Sequence, residues 1–134
     1  MKTNSQPEIR PPVIKGLKET KRGGSFADVK AGIDNPLTHI AIHIPADGAS
    51  HLAKKDGPAI KIEAGDEQQM ASCGNSKEAQ EYRQRQKELI GKGKFDVALQ
   101  MDIDDIKKKF GDKYDDGITE VKEYYLKLKV EGKV

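Results

Sequence analysis

THIAIHIP at residues 38–45 and AIKIEAG at residues 59–65 are the two strand-like stretches of this sequence. The first is rich in β-branched residues and alternates loosely, whereas the second places Ile60 and Ile62 on one face, with polar residues between and after them. The piece that separates the two stretches is rich in turn-forming residues. We therefore predict two short strands that form one hairpin or ribbon near residues 38–63.

The sequence beyond residue 74 has the periodicity of helices. Asn75 followed by Glu78 is typical of a capping box, and Gly111 is suited to end a helix. Apolar residues recur three and four positions apart, which places them on one face of each helix. The three helices that this pattern predicts span residues 75–91, 95–110 and 112–130. We expect a mainly helical α+β fold in which the short hairpin packs on these helices.

Length and composition indicate one modest domain. The chain has 134 residues, of which 35% are hydrophobic and 34% are charged, so the core must be thin. Residues 1–24 contain three prolines and the pair Gly23-Gly24, show little periodicity and are locally basic. We assign residues 1–24 to a linker or flexible basic arm and residues 25–134 to a single domain.

Charge, cysteine content and hydropathy restrict the class of protein. Lys and Arg total 24 against 22 for Asp and Glu, so nucleic-acid binding would require a local basic patch. The single cysteine, Cys73, excludes an intrachain disulfide and lacks the spaced partners of a structural zinc site. No stretch approaches the roughly 18 apolar residues of a membrane span, and the N-terminal residues are too polar for a signal peptide. We expect a soluble monomer without a membrane segment or export signal of its own.

The histidines of this chain are concentrated in one short region. His39, His43 and His51 fall close together, in a region that also holds several acids, Asp47, Asp56, Asp66 and Glu67. If residues 38–45 form a strand, His39 and His43 point to the same face because they are an even number of residues apart. This cluster is a supply of metal ligands or general bases. An ordinary role as sheet and loop residues is equally compatible with the spacing.

Two further sets of charged residues have both a functional and a structural interpretation. Asp66 and Glu67 offer oxygen ligands, but they would also suit the first turn of a short helix. Arg83, Arg85 and Lys87 would be placed to contact phosphates, but the glutamates interleaved with them are equally typical of a solvated helix face. The residue pattern leaves both alternatives open.

A third acidic cluster consists of Asp102, Asp104 and Asp105. It lacks the spaced oxygen ligands and the central glycine of an EF-hand loop. We interpret it as the solvated start of a helix.

An ordered series of motifs is similar to a known family. The motifs are GSFADVK, HIPAD, GPAIKIEAGD, ASCGNSKEAQEYRQRQKELIGKGKF and MDIDDIKKKFGDKYDDGI. The series covers about Gly24 to Tyr125 and resembles the C-terminal toxin domains of bacterial polymorphic effectors, such as those of the Rhs and contact-dependent-inhibition systems. These toxin domains are in turn similar to the HNH and endonuclease VII superfamily, in which two histidines precede the Pro-Ala and an Asp-His follows the second strand.

This resemblance implies a metal-dependent endonuclease that acts on DNA in preference to RNA and uses a divalent ion, Mg, Mn, Zn or Ni. It implies catalytic roles for His43, His39 and Glu67, and metal ligation by His43, Asp66 and Glu67. Phosphodiester hydrolysis needs a base to activate water and a cation to offset the charge of the phosphate. Histidine can act as the base, and histidine and carboxylate side chains can bind the cation. The basic stretch on the first long helix makes Arg83, Arg85 and Lys87 the candidates for nucleic-acid contact.

The sequence departs from the family pattern at two positions. Ile42 stands where the second histidine is expected, and Glu67 stands in place of the histidine that follows the aspartate. Glu67 still has oxygen ligands, but Ile42 neither binds metal nor moves a proton, so the site would need His39 as a substitute. The first hypothesis is a nuclease toxin that is delivered within a larger secreted effector into the cytoplasm of a competing cell and is neutralised by an immunity protein. The second is a non-catalytic protein-binding module that keeps the toxin fold.

Overall fold

The computed structural model describes residues 21–134, so residues 1–20 of the predicted basic arm lie outside the described part. The elements follow one another as β1 (Gly23–Ser25), α1 (Phe26–Ala31), β2 (His39–His43), β3 (Pro58–Glu63), α2 (Ala64–Glu67), α3 (Lys77–Gly91), α4 (Phe95–Phe110) and α5 (Asp115–Val130). The fold is a mainly helical α+β fold, as the sequence predicts. Within residues 21–134, no helix is long and apolar enough to cross a membrane.

The predicted hairpin is present as the antiparallel pair β2 and β3. The pairing runs from His39 opposite Glu63 to His43 opposite Ala59. Two single turns of 3-10 helix, Asp47–Ala49 and Lys54–Asp56, interrupt the long connection between the strands. The sheet has a third strand, because β1 pairs antiparallel with the other side of β3 and the strand order is β1-β3-β2.

The two faces of the ribbon are covered by different helices. Ile60 and Ile62 are fully buried and belong to the main core. Apolar residues of α4 and α5 complete this core, among them Leu99, Ile103, Ile106, Ile118 and Val121. The short helix α1 packs on β2 and β3 and buries Val29 completely. The apolar stripes predicted for α4 and α5 therefore form the core, whereas α3 buries Ala79 and Gln86 outside this cluster.

The helix boundaries differ slightly from those predicted. Helix α3 begins at Lys77, and its cap is Ser76, whose hydroxyl accepts a hydrogen bond of 3.0 Å from the Ala79 N–H. The prediction of Asn75 as the cap is therefore wrong by one residue. Gly111 does end α4, with a φ of 61° and an N–H that donates to the Lys107 carbonyl, as the sequence predicts.

Strand β1 was not predicted, and it includes two glycines that we assigned to the arm. Gly23 and Gly24 are buried, and Gly23 pairs with Ile60 of the central strand. A Cβ atom on Gly23 would lie 2.1 Å from the carbonyl oxygen of Gly117 in α5, so only glycine fits this crossing. The folded domain therefore begins before residue 25, because β1 needs the central strand on one side and α5 on the other.

Helix α1 was also missed, although the sequence contains a signal for it. The Ser25 hydroxyl accepts a hydrogen bond of 3.2 Å from the Asp28 N–H and caps the helix. Serine followed three residues later by an acid is a typical helix start. The helix has only six residues, which is too short for the apolar periodicity on which our other helix predictions rest.

Candidate functional site

His43 lies at the end of β2 in a closely packed setting. Its ring stacks on Phe26 with 4.1 Å between the ring centroids and 9° between the planes. Its Nε2 lies 2.7 Å from the main-chain oxygen of Lys54 and 3.9 Å from Oδ1 of Asp47, and its side chain is only 10% exposed. A carbonyl oxygen only accepts hydrogen bonds, so Nε2 carries a proton, and Nδ1 is the nitrogen that has the lone pair in the neutral form of the ring.

Two lysines add positive charge beside this stack. The Nζ atoms of Lys30 and Lys54 lie 5.8 and 5.7 Å from the centroid of the Phe26 ring. Both distances are within the range of cation–π contact. The face of the sheet that carries His43 is therefore bordered by cations.

His39 lies at the other end of β2. Its Nδ1 is 2.9 Å from the Thr38 hydroxyl, and the residue is half-buried. His39 and His43 share a face of the sheet, as predicted, but four strand residues separate their Cα atoms by roughly 13 Å. One metal ion bound within a single chain does not bridge that distance, because a metal–nitrogen bond is only about 2 Å long.

Asp66 is held by two residues that connect α2 to the start of α5. Its Oδ2 accepts hydrogen bonds of 2.7 Å from Lys113 Nζ and 2.6 Å from the Tyr114 hydroxyl. These bonds, with Lys113 as the largest cause, lower the pKa of Asp66. Lys113 also forms an ion pair of 3.2 Å with Glu63, and the two acids raise the pKa of Lys113. The Lys113 ammonium thus supplies the positive charge that faces Asp66.

The Tyr114 hydroxyl completes this arrangement. It accepts a hydrogen bond of 3.1 Å from the Glu63 N–H while it donates to Asp66. Burial, followed by the bond to Asp66, raises the pKa of Tyr114 to about 12. Asp66 therefore acts as a structural connection, and its carboxylate is already satisfied within the chain.

Glu67 lies next to Asp66 in sequence but has a different neighbour. Its Oε2 lies 4.0 Å from Cys73 Sγ, which donates to it. Burial, and then the charge of Glu67, raises the pKa of the Cys73 thiol. A thiol that is harder to ionise is a weaker metal ligand and nucleophile.

The metal ligands that the family resemblance implies are not brought together. His43 is opposite Ala59 at the start of β3, whereas Asp66 and Glu67 follow the end of that strand. The length of β3 thus places the histidine and the two acids at opposite ends of the ribbon. Among the described residues, no group of three or more His, Cys, Asp and Glu side chains is placed to hold a metal ion. The donor set His43, Asp66 and Glu67 does not fit one ion.

Ile42 is part of the main core. It pairs with Ile60 and packs, partly buried, against the core cluster. Neighbouring residues of a strand point to opposite faces, so the side chains of Ile42 and His43 diverge. An apolar residue at this position is accounted for by packing.

His51, the third histidine of the sequence cluster, has a separate structural role. Its Nε2 lies 2.8 Å from the main-chain oxygen of Lys133, and its ring lies edge-on to Phe95 with 6.1 Å between centroids. These contacts connect the loop between β2 and β3 to the residues after α5.

The predicted nucleic-acid contacts do not form one surface. Arg83 Nη1 donates to the main-chain oxygens of Ser72 and Gly74 at 2.7 and 2.9 Å, so this guanidinium holds the loop before α3. Arg85 and Lys87 are exposed on the same helix. Residues two positions apart in a helix are rotated by about 200° about the helix axis. Arg85 therefore points away from the side that Arg83 and Lys87 share.

A buried polar network lies where the sequence indicated a solvated helix start. Asp102 is fully buried within α4, and its two oxygens accept hydrogen bonds of 2.8 Å from Tyr82 and from Gln86. The Gln86 amide also donates to the Ala98 carbonyl at 3.1 Å. Our interpretation of Asp102 as solvated is therefore wrong. The signal was present, because Asp102 lies three residues after Leu99, on the apolar stripe of its own helix.

Comparisons of the chain with protein-family models, with curated proteins and with solved structures found no match. The similarity to polymorphic toxin domains therefore rests on the sequence motifs.

Proposed function

We propose that this chain is a non-catalytic protein-binding module that keeps the fold of a nuclease-type bacterial toxin. The observation that carries the proposal is the separation of His43 from Asp66 and Glu67 along the ribbon. Each group already has partners inside the chain: Lys54 and Phe26 for the histidine, and the α5 start for Asp66. The motif series supports a role within an effector of bacterial competition, with an immunity-type protein as the partner.

Exposed apolar side chains on the last helix support binding to a protein. Leu126 is 58% exposed and Val130 is 88% exposed. They are four residues apart and therefore lie on one side of α5. Exposed apolar residues that lie together are typical of an interaction surface.

The test of this proposal is binding to the product of a small gene encoded next to this chain. Calorimetry with the purified pair should give a one-to-one complex whose affinity is unchanged by EDTA. Leu126→Lys should weaken binding at least about tenfold, and the exposed control Lys122→Ala should leave it unchanged. A complex that forms only with a divalent ion, or equal affinities for Leu126→Lys and the unaltered chain, would contradict the proposal.

A second candidate function is metal-dependent cleavage of nucleic acid, DNA in preference to RNA, centred on His43. The observation that favours it is the bond from His43 Nε2 to the Lys54 carbonyl, which fixes the ring and leaves Nδ1 as a base. The cations beside Phe26 would attract phosphates. This alternative would place the active centre on the α1 face of the sheet, without Asp66.

A nicking assay separates the two functions. Supercoiled plasmid and structured RNA are incubated with the chain and with Mg²⁺, Mn²⁺, Zn²⁺ or Ni²⁺. The binding-module proposal expects no cleavage by the unaltered chain. Cleavage that His43→Gln abolishes and the matched control His51→Gln retains would establish the nuclease and overturn the first proposal. The double variant Ile42→His with Glu67→His tests whether the family's histidines restore cleavage.

A further inference from the structure

Strand β2 is an edge of the sheet, and half of its main-chain groups face away from β3. Two hydrogen bonds define this geometry: the Ile44 N–H donates to the Pro58 carbonyl at 3.0 Å, and the Ala64 N–H donates to the Thr38 carbonyl at 2.9 Å. Both bonds involve even-numbered residues, Thr38 and Ile44, which flank β2. Because an antiparallel ladder alternates, the odd-numbered residues of β2 direct their N–H and C=O groups outward.

The outward groups are those of His39, Ala41 and His43. The His39 N–H donates to the Asn35 carbonyl at 3.2 Å and is therefore already occupied, so the free edge ends at the N-terminal end of β2. Within residues 21–134, no hydrogen bond occupies the outward N–H and C=O of Ala41 or the N–H of His43. The edge therefore offers a short free ladder centred on Ala41.

This edge lacks the features that usually prevent strand pairing. Residues 39–43 contain no lysine, no proline and no bulge, and two of them are isoleucine. Leu37, just before the strand, is 85% exposed. The opposite edge of the sheet differs, because β1 is only three residues long and packs against α5.

The sequence of the free strand is the same in both directions: His39-Ile40-Ala41-Ile42-His43. Two copies placed antiparallel about a twofold axis at Ala41 therefore present identical residues to each other. Ala41 would bond to Ala41 of the partner subunit in both directions, and the His43 N–H would donate to the His39 carbonyl of the partner subunit. We propose that β2 pairs in this way with a second copy of the chain, and that the paired strands create a divalent metal site that one copy lacks.

The pairing places His39 directly opposite His43 of the partner subunit. Residues opposite each other in such a bonded pair have Cα atoms about 5.5 Å apart, compared with roughly 13 Å for the two histidines of one chain. Glu63 lies opposite His39 on the other side and points to the same face; its Oε1 forms the ion pair of 3.2 Å with Lys113, so Oε2 is the oxygen that would reach a metal. The row of Glu63, His39 and the partner's His43 supplies two imidazoles and one carboxylate, a donor set suited to Zn²⁺ or Ni²⁺. The twofold axis generates two such rows.

The nitrogen atoms needed for this site are available. The Nε2–H of His43 donates to Lys54, which leaves Nδ1 with a lone pair. A Cβ atom on Gly57 would lie 3.0 Å from His43 Cδ2, so that edge of the ring faces the start of β3. Nδ1 is on the opposite edge of the ring and therefore faces away from Gly57. The Thr38 contact engages Nδ1 of His39 and leaves its Nε2 for a metal.

The first test is the mass of the full chain in solution, measured by sedimentation equilibrium. The interface is small, so the measurement spans about 1 µM to about 1 mM protein, with EDTA or with Zn²⁺. The mass should double with increasing concentration, and Zn²⁺ should lower the dissociation constant at least about tenfold. A monomer under all these conditions overturns the proposal.

Two variants test the strand pairing. Ala41→Pro removes the central outward N–H, which an edge strand tolerates, whereas Ala41→Ser keeps it. The proline variant should remain monomeric while its circular dichroism and thermal unfolding stay near those of the unaltered chain, and the serine variant should still dimerise. If the proline variant unfolds, a chain with an N-methylated Ala41, made by ligation, provides the same comparison, because the methyl group replaces the outward N–H. Dimers of equal strength in all variants contradict pairing through β2.

Complementation tests whether the metal site is shared between copies. His39→Gln and His43→Gln should each abolish the effect of Zn²⁺ on the dissociation constant. An equal mixture of the two variants should regain it, because a mixed dimer holds one complete row. If the mixture does not respond to Zn²⁺, the histidines do not act across the interface and the metal site is refuted. Neither result depends on nucleic-acid cleavage or on an immunity protein, so this inference and the proposed function fail separately.

Discussion

Replacement of Asp102 by asparagine should change how the stability of this domain depends on pH. The carboxylate is fully buried in α4, and its hydrogen-bond donors, Tyr82 and Gln86, are both neutral. Burial raises the pKa of Asp102 to about 7, and the nearby charge of Asp105 adds to the effect. No cation from the part of the chain that the structure describes offsets the charge of the Asp102 carboxylate in this network, so its ionisation near neutral pH should destabilise the folded state.

The sign and size of the effect follow from proton linkage. The pKa of Asp102 is higher in the folded state than the ordinary value of 3.8, so the folded state binds the proton more tightly. The resulting stability is fully present below about pH 4 and is lost as the pH rises through about 7. A shift of about three units corresponds to about 4 kcal/mol in the free energy of unfolding, of which about 3 kcal/mol falls between about pH 5 and about pH 8.

The assay is urea unfolding followed by circular dichroism at several pH values in that range. The free energy of unfolding of the unaltered chain should fall by about 3 kcal/mol relative to Asp102→Asn between about pH 5 and about pH 8. Asp104→Asn is the matched control, because Asp104 is exposed on the same helix and accepts a hydrogen bond from Gln100. Its curve should follow that of the unaltered chain. Parallel curves for the Asp102 variant and the unaltered chain would refute the reasoning.

Three other substitutions test the packing and the hydrogen bonds. Tyr114→Phe removes the hydroxyl between the end of β3 and α2, and should lower the free energy of unfolding by about 1–3 kcal/mol in urea titrations. An unchanged midpoint would contradict that role. Gly23→Ala should destabilise the domain by more than about 2 kcal/mol, because the added Cβ meets main-chain atoms. The control Gly91→Ala, whose Cβ would point into open space in α3, should be neutral or stabilising by about 0.5–1 kcal/mol. Thermal unfolding distinguishes the two variants. Arg83→Gln should cost about 1–3 kcal/mol and Arg85→Gln less than about 0.5 kcal/mol in the same assay, and equal losses would mean that the loop contacts are unimportant.

The periodicity of apolar residues predicted those helices and strands that bury one face. The three long helices and the β2–β3 pair lie close to their predicted positions, and the repeated apolar residues of α4, α5, β2 and β3 belong to one core. Helix α3 buries Ala79 and Gln86 of its predicted stripe and packs on α4. β1 carries no such pattern: it consists of two glycines and a serine. Its position depends on a close crossing with α5, and a contact between residues so far apart in sequence has no local signal.

The candidate site was harder to predict than the fold because it depends on distances along the ribbon. The spacing of His39 and His43 correctly indicated a common face, but it could not show that Asp66 would lie beyond the far end of β3. The involvement of Asp66 with Lys113 likewise depends on the packing of α5 near the end of the sheet. Histidines and acids that are close in sequence are thus separated in space by the length of strand β3.

The contact between β1 and α5 determines how this domain responds to a mechanical load. Arg22, at the entrance to β1, is joined to Asp116 by an ion pair of 2.6 Å, and its N–H donates to Glu120 at 2.9 Å. A pull on the chain before Arg22 therefore acts first on a three-residue strand and on a few bonds to the last helix. Once the bonds of Arg22 and the pairing of β1 break, the central strand β3 loses one neighbour and Val121 is exposed. Partial unfolding of the described domain should therefore begin from this side at low force, at the contact between β1 and α5.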